Sequence, residues 1–214
     1  MFDSADGWII NKENKSIGFS LALAGYDVWL GNFRGNKYSN HHVFMGSNDK
    51  KFYDFSFDES ARYDIPAILK FISETTGSHS ITYIGHSQGS LTMFAAMSNP
   101  IVSKQVQNLV SKFIVLSPIL FLVNIKNIYY EHMCYNKPLI YIAKESGILN
   151  VFPASCSWDQ ELQNLYKKVC YFIPQLCGLY LRISDANPAY DDFDLLHKYL
   201  LHFPSGSSMR GLLH

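Results

Sequence analysis

The run Ile81-Thr82-Tyr83-Ile84-Gly85-His86-Ser87-Gln88-Gly89 constrains this chain more than any other. Residues that favour extended backbone lead straight into Gly-x-Ser-x-Gly, and Leu91, Phe94, Ala95 and Met97 follow on a segment that reads as a helix. Strand, tight glycine turn and helix are the context in which Gly-x-Ser-x-Gly forms a nucleophile elbow. The turn lifts a serine hydroxyl above the edge of a sheet and strains the serine's own backbone, and glycines flank it because side chains there would collide. Ser87 is therefore the candidate nucleophile. The Gln88 backbone N–H is a candidate oxyanion-hole donor, helped by the positive end of the following helix. His86, adjacent in sequence but pointed away by the turn, is read as structural.

The rest of the first half alternates helix and strand. Ile17 to Ala24 read as a short helix ended by Gly25, and Tyr26-Asp27-Val28-Trp29-Leu30 as a strand followed by the glycine-punctuated Gly31 to Asn36. Ser56-x-x-Glu59 has capping-box form. Asp64 and Pro66 read as the opening of a longer helix carrying Ile65, Ile68, Leu69 and Ile72, which Gly77 stops. Phe113-Ile114-Val115-Leu116 is a further strand, ended by Ser117-Pro118. Such alternation predicts an α/β fold with a mainly parallel sheet covered on both faces. After Pro118 the rhythm gives way to aromatic and amphipathic segments with prolines at 138, 153, 174, 188 and 204. Residues 1–118 are thus read as a core bearing the elbow, and 119–214 as a helical cap.

Composition narrows the partners. The 214 residues are 48% hydrophobic, enough for a real core, and Lys+Arg balance Asp+Glu at 18 each without a run of like charge. Neither nucleic acid nor an anionic membrane is called for electrostatically. The apolar stretch from Ile114 to Ile125 is too short to span a bilayer, and MFDSADGWII has no basic stretch followed by a long apolar run, so neither a transmembrane segment nor a signal peptide is expected. Cys134, Cys156, Cys170 and Cys177 lack the paired spacing of a zinc site, so no metal and no cofactor are expected. Asn14-Lys15-Ser16 is a glycosylation sequon, meaningful only on a secretory route.

A serine needs a histidine to take its proton, and the histidine a carboxylate to fix its tautomer. Asp185, Asp191, Asp192 or Asp194 followed by His197, His202 or His214 satisfies the order Ser, acid, His formally. Their placement argues against them, because acid and base belong on loops after later strands and nothing beyond Pro118 reads as a continuing αβ alternation.

Several rarer strings occur in order: Ala24-Gly25-Tyr26-Asp27-Val28-Trp29-Leu30-Gly31-Asn32, Arg34-Gly35-Asn36, Phe55-Ser56-Phe57-Asp58-Glu59, Tyr63-Asp64-Ile65-Pro66-Ala67 and Gly85-His86-Ser87-Gln88-Gly89. With these, and with Tyr199 to Gly206 near the end, the chain resembles from Trp8 onward the acid lipase family of gastric and lysosomal lipases and cholesteryl esterases. The resemblance implies a partial α/β-hydrolase fold with a helical cap insertion, lacking the first three and the last two strands, so that the strand belonging between Tyr26–Leu30 and Ile81–Ile84 is missing. It implies Ser87 as nucleophile, Gln88 as first oxyanion donor and the position of Met1 as the second, with a His-Gly pair before residue 1 and the catalytic Asp and His beyond His214. It further implies a disulfide between Cys156 and Cys170, hydrolysis of triacylglycerol or sterol esters, and a secreted or lysosomal site of action. The partner would be a lipid ester or a lipid–water interface. A chain without that Asp and His is expected to be inactive alone, and the alternative is a lipid-binding remnant without chemistry.

Overall fold

A computed structural model describes residues 3–46, 49–121, 137–151, 165, 168–169, 172–173, 192, 195, 198–199 and 202–214. Helix α1 (Ile17–Leu23) ends where Gly25 takes the left-handed conformation at φ 88°. At Ser56 the capping box forms in full. The Glu59 carboxylate accepts from the Ser56 N–H at 2.7 Å, and the Ser56 hydroxyl accepts from the Asp58 N–H at 3.2 Å. The helical path then runs without interruption through α2 (Phe57–Glu59), a π turn (Ser60–Asp64) and α3 (Ile65–Thr76), stopping at Gly77 with φ 72°. The longer helix α3 opens as expected, with Asp64 at its N-cap position and Pro66 in its first turn. The capping box at Ser56 serves the short helix before it, and the Asp64 carboxylate makes no cap bond but grips Arg34.

Strand β1 (Ile81–His86) pairs in parallel with β2 (Val110–Leu116), and α4 (Gln88–Ser98) and α5 (Pro100–Gln107) make the crossover. Asn99 caps α5, its side chain accepting from the N–H groups of Ile101 and Val102, with Pro100 in the first turn. The core is the seam of α3, α4, α5 and one sheet face: Ala61, Ile65, Leu69, Met93, Ala96, Val102 and Val106 are buried, and Tyr83 and Phe113 lean in from the paired strands. As the spacing predicts, Ile65 and Leu69 carry α3 inward. On α4 the buried apolar residues are Met93 and Ala96, whereas Met97 is exposed.

Two expectations are corrected. Tyr26–Leu30 has no regular structure and joins no ladder among the described residues. The Trp29 indole N–H donates to Asp27 at 3.1 Å and its ring meets Phe71 of α3 edge-on at 5.9 Å, while Tyr26 stays exposed. A strand exists only where a neighbour accepts its backbone groups, and the direct pairing with β1 that would supply one does not form. The sheet is also covered on one face only among the described residues, since Thr82, Lys112 and Ile114 on β1 and β2 are exposed.

The last described stretch returns to the first. β3 (Asn150–Val151) pairs antiparallel with β4 (Ser207–Ser208), helix α6 (Lys137–Glu145) precedes it, and α7 (Met209–Leu213) ends it. The Ser208 hydroxyl donates to the Phe55 carbonyl, the Lys37 N–H to the Ser205 carbonyl at 2.8 Å, and Arg210 pairs with Asp54 and Glu59.

Candidate active site

At the carboxyl end of β1 the chain reverses through Ser87, whose φ of 52° and ψ of −116° lie where a residue with a Cβ seldom sits. Gly85 shows why the motif needs its first glycine. A Cβ there would lie 2.8 Å from the Ser90 nitrogen and 2.9–3.0 Å from the Gly89 carbonyl, all backbone that cannot swing aside. Gly89 is less constrained in this structure, since a Cβ would meet only the Tyr83 hydroxyl at 3.8 Å.

Hydrogen bonds hold the turn from below. The Ser87 N–H donates to the Leu116 carbonyl at 3.0 Å, and the buried Ser90 hydroxyl donates to the Gly85 carbonyl at 2.6 Å. The Tyr83 hydroxyl donates to the Gly89 carbonyl at 3.1 Å, and burial pushes that phenol's pKa up. Ser87 itself is half-buried, and its hydroxyl makes no hydrogen bond among the described residues. Gln88 is the first residue of α4, where an N–H has no preceding turn to bond. His86 is exposed, paired through its backbone with Leu116 of β2. Ser117, directly after β2, has φ 42°, so the two adjacent parallel strands both end in a strained serine.

Of the formal triad candidates, His202 bonds Asp6 at 2.7 Å, His214 bonds the Ser56 hydroxyl at 3.1 Å and stacks on Phe57, and Asp192 lies 3.7 Å from Lys15. Asp185, Asp191, Asp194 and His197 fall outside the described residues, as do Met1, Cys156 and Cys170. Asn14 sits exposed in a turn.

A second polar cluster has no motif to announce it. The buried Asp6 carboxylate receives the Lys37 ammonium, the Tyr38 hydroxyl at 2.8 Å and the His202 Nδ1 at 2.7 Å. Burial raises its pKa, but the hydrogen bonds from Lys37, His202 and Tyr38 and the Lys37 charge outweigh that and bring it down to about 2. Nearby, the Asn32 side chain accepts from the Ala5 N–H at 3.0 Å, and Arg34 clasps Asp64 through two nitrogens. These contacts hold residues 3–8 against the 31–39 loop and the 202–205 segment.

The pattern of the family described as alpha/beta hydrolase fold matches residues 2–131, and the chain belongs to that family. Within it, the chain is similar to lipases. It is 35% identical over 218 aligned positions to human Lipase member K, covering 99% of this chain and 51% of the relative. It is likewise 35% identical to mouse Gastric triacylglycerol lipase over 99% of this chain and 52% of the relative. With the Putative lysosomal acid lipase/cholesteryl ester hydrolase of Crotalus adamanteus it shares 33% identity over 98% and 52%. The chain spans about half the length of the curated relatives it matches. No helix among the described residues is long and apolar enough to cross a membrane.

Proposed function

We propose that the protein is a carboxylic ester hydrolase of the lipase type, acting on triacylglycerol or sterol esters through Ser87. The observation that carries the reading is the strained serine at the tip of β1, held between Gly85 and the first turn of α4. The Ser87 Oγ attacks the ester carbonyl while a histidine base takes its proton. The tetrahedral oxyanion receives the Gln88 N–H and a second N–H at position 1. Collapse expels the alcohol, which takes that proton, and water then hydrolyses the acyl-enzyme. Among the described residues no histidine is hydrogen-bonded to Ser87, and His202 and His214 are held by Asp6 and Ser56.

Residues 1–118 form the core in this reading and 119–214 include the cap, braced by the disulfide Cys156–Cys170. The lipase relatives support a lipid ester or lipid–water interface as partner, and a secreted or lysosomal location where Asn14 could carry glycan. Hydrolysis of p-nitrophenyl butyrate and of a triacylglycerol emulsion, by the chain joined to the Asp and His that the family resemblance implies, tests the reading. Activity that Ser87→Ala abolishes supports it. Fatty-acyl binding without hydrolysis, and indifferent to that substitution, replaces it with lipid binding free of chemistry.

A further inference from the structure

We infer that Ser90 is a positioning residue for the nucleophile: its buried hydroxyl fastens the elbow to the end of the sheet and thereby fixes where Ser87 is presented. The inference deepens the proposed function and rests on Ser87 being the nucleophile. Ser90 is fully buried, one turn into α4. The other hydroxyls of α4 bond within their own helix, Thr92 to the Gln88 carbonyl and Ser98 to the Phe94 carbonyl, each at 2.8 Å. Ser90 alone reaches out of it, donating to the Gly85 carbonyl at 2.6 Å and lying 3.4 Å from the Leu116 carbonyl. That Leu116 oxygen is the same atom that receives the Ser87 N–H at 3.0 Å. One side chain therefore ties the residue before the elbow to the neighbouring strand, around the carbonyl on which the strained serine itself hangs.

Gly85 makes this possible. The missing Cβ lets the Ser90 backbone approach to a distance no side chain would leave. Strained φ/ψ values persist only where the surroundings over-determine them. Ser87 at φ 52° and Ser117 at φ 42° are the described non-glycine residues with positive φ, and they flank the Leu116 carbonyl to which Ser90 is joined. Without the Ser90 hydroxyl, the Gly85 carbonyl loses the bond that ties it to α4, and the elbow is free to relax. A displacement of about 1 Å in a reacting group is enough for a loss of roughly a hundredfold in rate.

The test uses the full chain with Ser90→Ala, Ser90→Cys, Ser90→Thr and, as a control on the same helix, Ser98→Ala. Two readouts are taken: the maximal rate of inactivation by a serine-directed phosphonate, separated from its half-saturating concentration, and amide hydrogen exchange at residues 87–89. Ser90→Ala is expected to lower the maximal rate at least tenfold with half-saturation within about twofold, and to speed elbow exchange at least tenfold. Ser90→Thr, which keeps the hydroxyl, restores both readouts, and Ser98→Ala changes neither. Should Ser90→Ala not fold, Ser90→Cys, which keeps the volume with a weaker donor, gives the same changes in reduced size. Wild-type rate and wild-type exchange in either variant overturn the inference, as does an equal effect of Ser98→Ala. Where the wild-type chain does not react, as expected of a chain without the catalytic Asp and His, the exchange readout alone decides: wild-type exchange at the elbow in Ser90→Ala overturns the inference, and faster exchange supports it.

Discussion

Asp6→Asn removes one charge from the cluster that joins residues 3–8 to the end of the described chain, and its cost can be worked out from the carboxyl's pKa. The native carboxylate is lowered from 3.8 to about 2. At about 1.4 kcal/mol for each unit, the ionised form contributes roughly 2–3 kcal/mol of stability. A lowered pKa means that the contribution is complete above pH 4, declines as pH falls from there, and is gone once the native carboxyl itself protonates near pH 2. An Asn at this position cannot follow that course. Urea unfolding by tryptophan fluorescence, run on both proteins from pH 7 to pH 2, should show wild type ahead by roughly 2–3 kcal/mol at neutral pH, with the two curves converging toward pH 2. The side chain is only 12% exposed, so screening by solvent does not erase the effect. A gap that stays constant across pH, or one under about 0.5 kcal/mol at neutral pH, refutes the account of this cluster.

Gly85→Ala should destabilise by about 1–3 kcal/mol and suppress phosphonate labelling, because its Cβ would press on backbone atoms of Gly89 and Ser90. Denaturant midpoints and labelling rates measure both effects. Ser56→Ala should cost about 1–2 kcal/mol, since the side chain both caps α2 and meets Glu59, while leaving the denaturant slope unchanged.

The sequence was most informative where local chemistry decides conformation. The Ser56–Glu59 box, the stops at Gly25 and Gly77, and the strands on either side of the elbow all follow from propensities and caps acting within a few residues. Sequence reasoning could not anticipate what depends on distant partners. Tyr26–Leu30 has the residues of a strand, yet a strand needs a neighbour's N–H and C=O groups, and none is supplied among the described residues. The Asp6 cluster unites residues separated by 196 positions, which no spacing rule encodes. Ser90 immediately follows the motif and could have been marked as buried by its place on α4, but its bond to Gly85 depends on the turn's three-dimensional closeness. The π turn at Ser60–Asp64 likewise has no local signature. It occurs where Asp64 meets Arg34 from the preceding loop.

Mass-spectrometric mapping of the adduct formed with a serine-directed fluorophosphonate tests the central claim most directly. The predicted result, for the chain joined to the Asp and His that the family resemblance implies, is a single modified residue, Ser87, with labelling abolished by Ser87→Ala and by prior denaturation. An intact Ser87 under conditions that saturate related lipases, or an adduct at another serine such as Ser56, contradicts it.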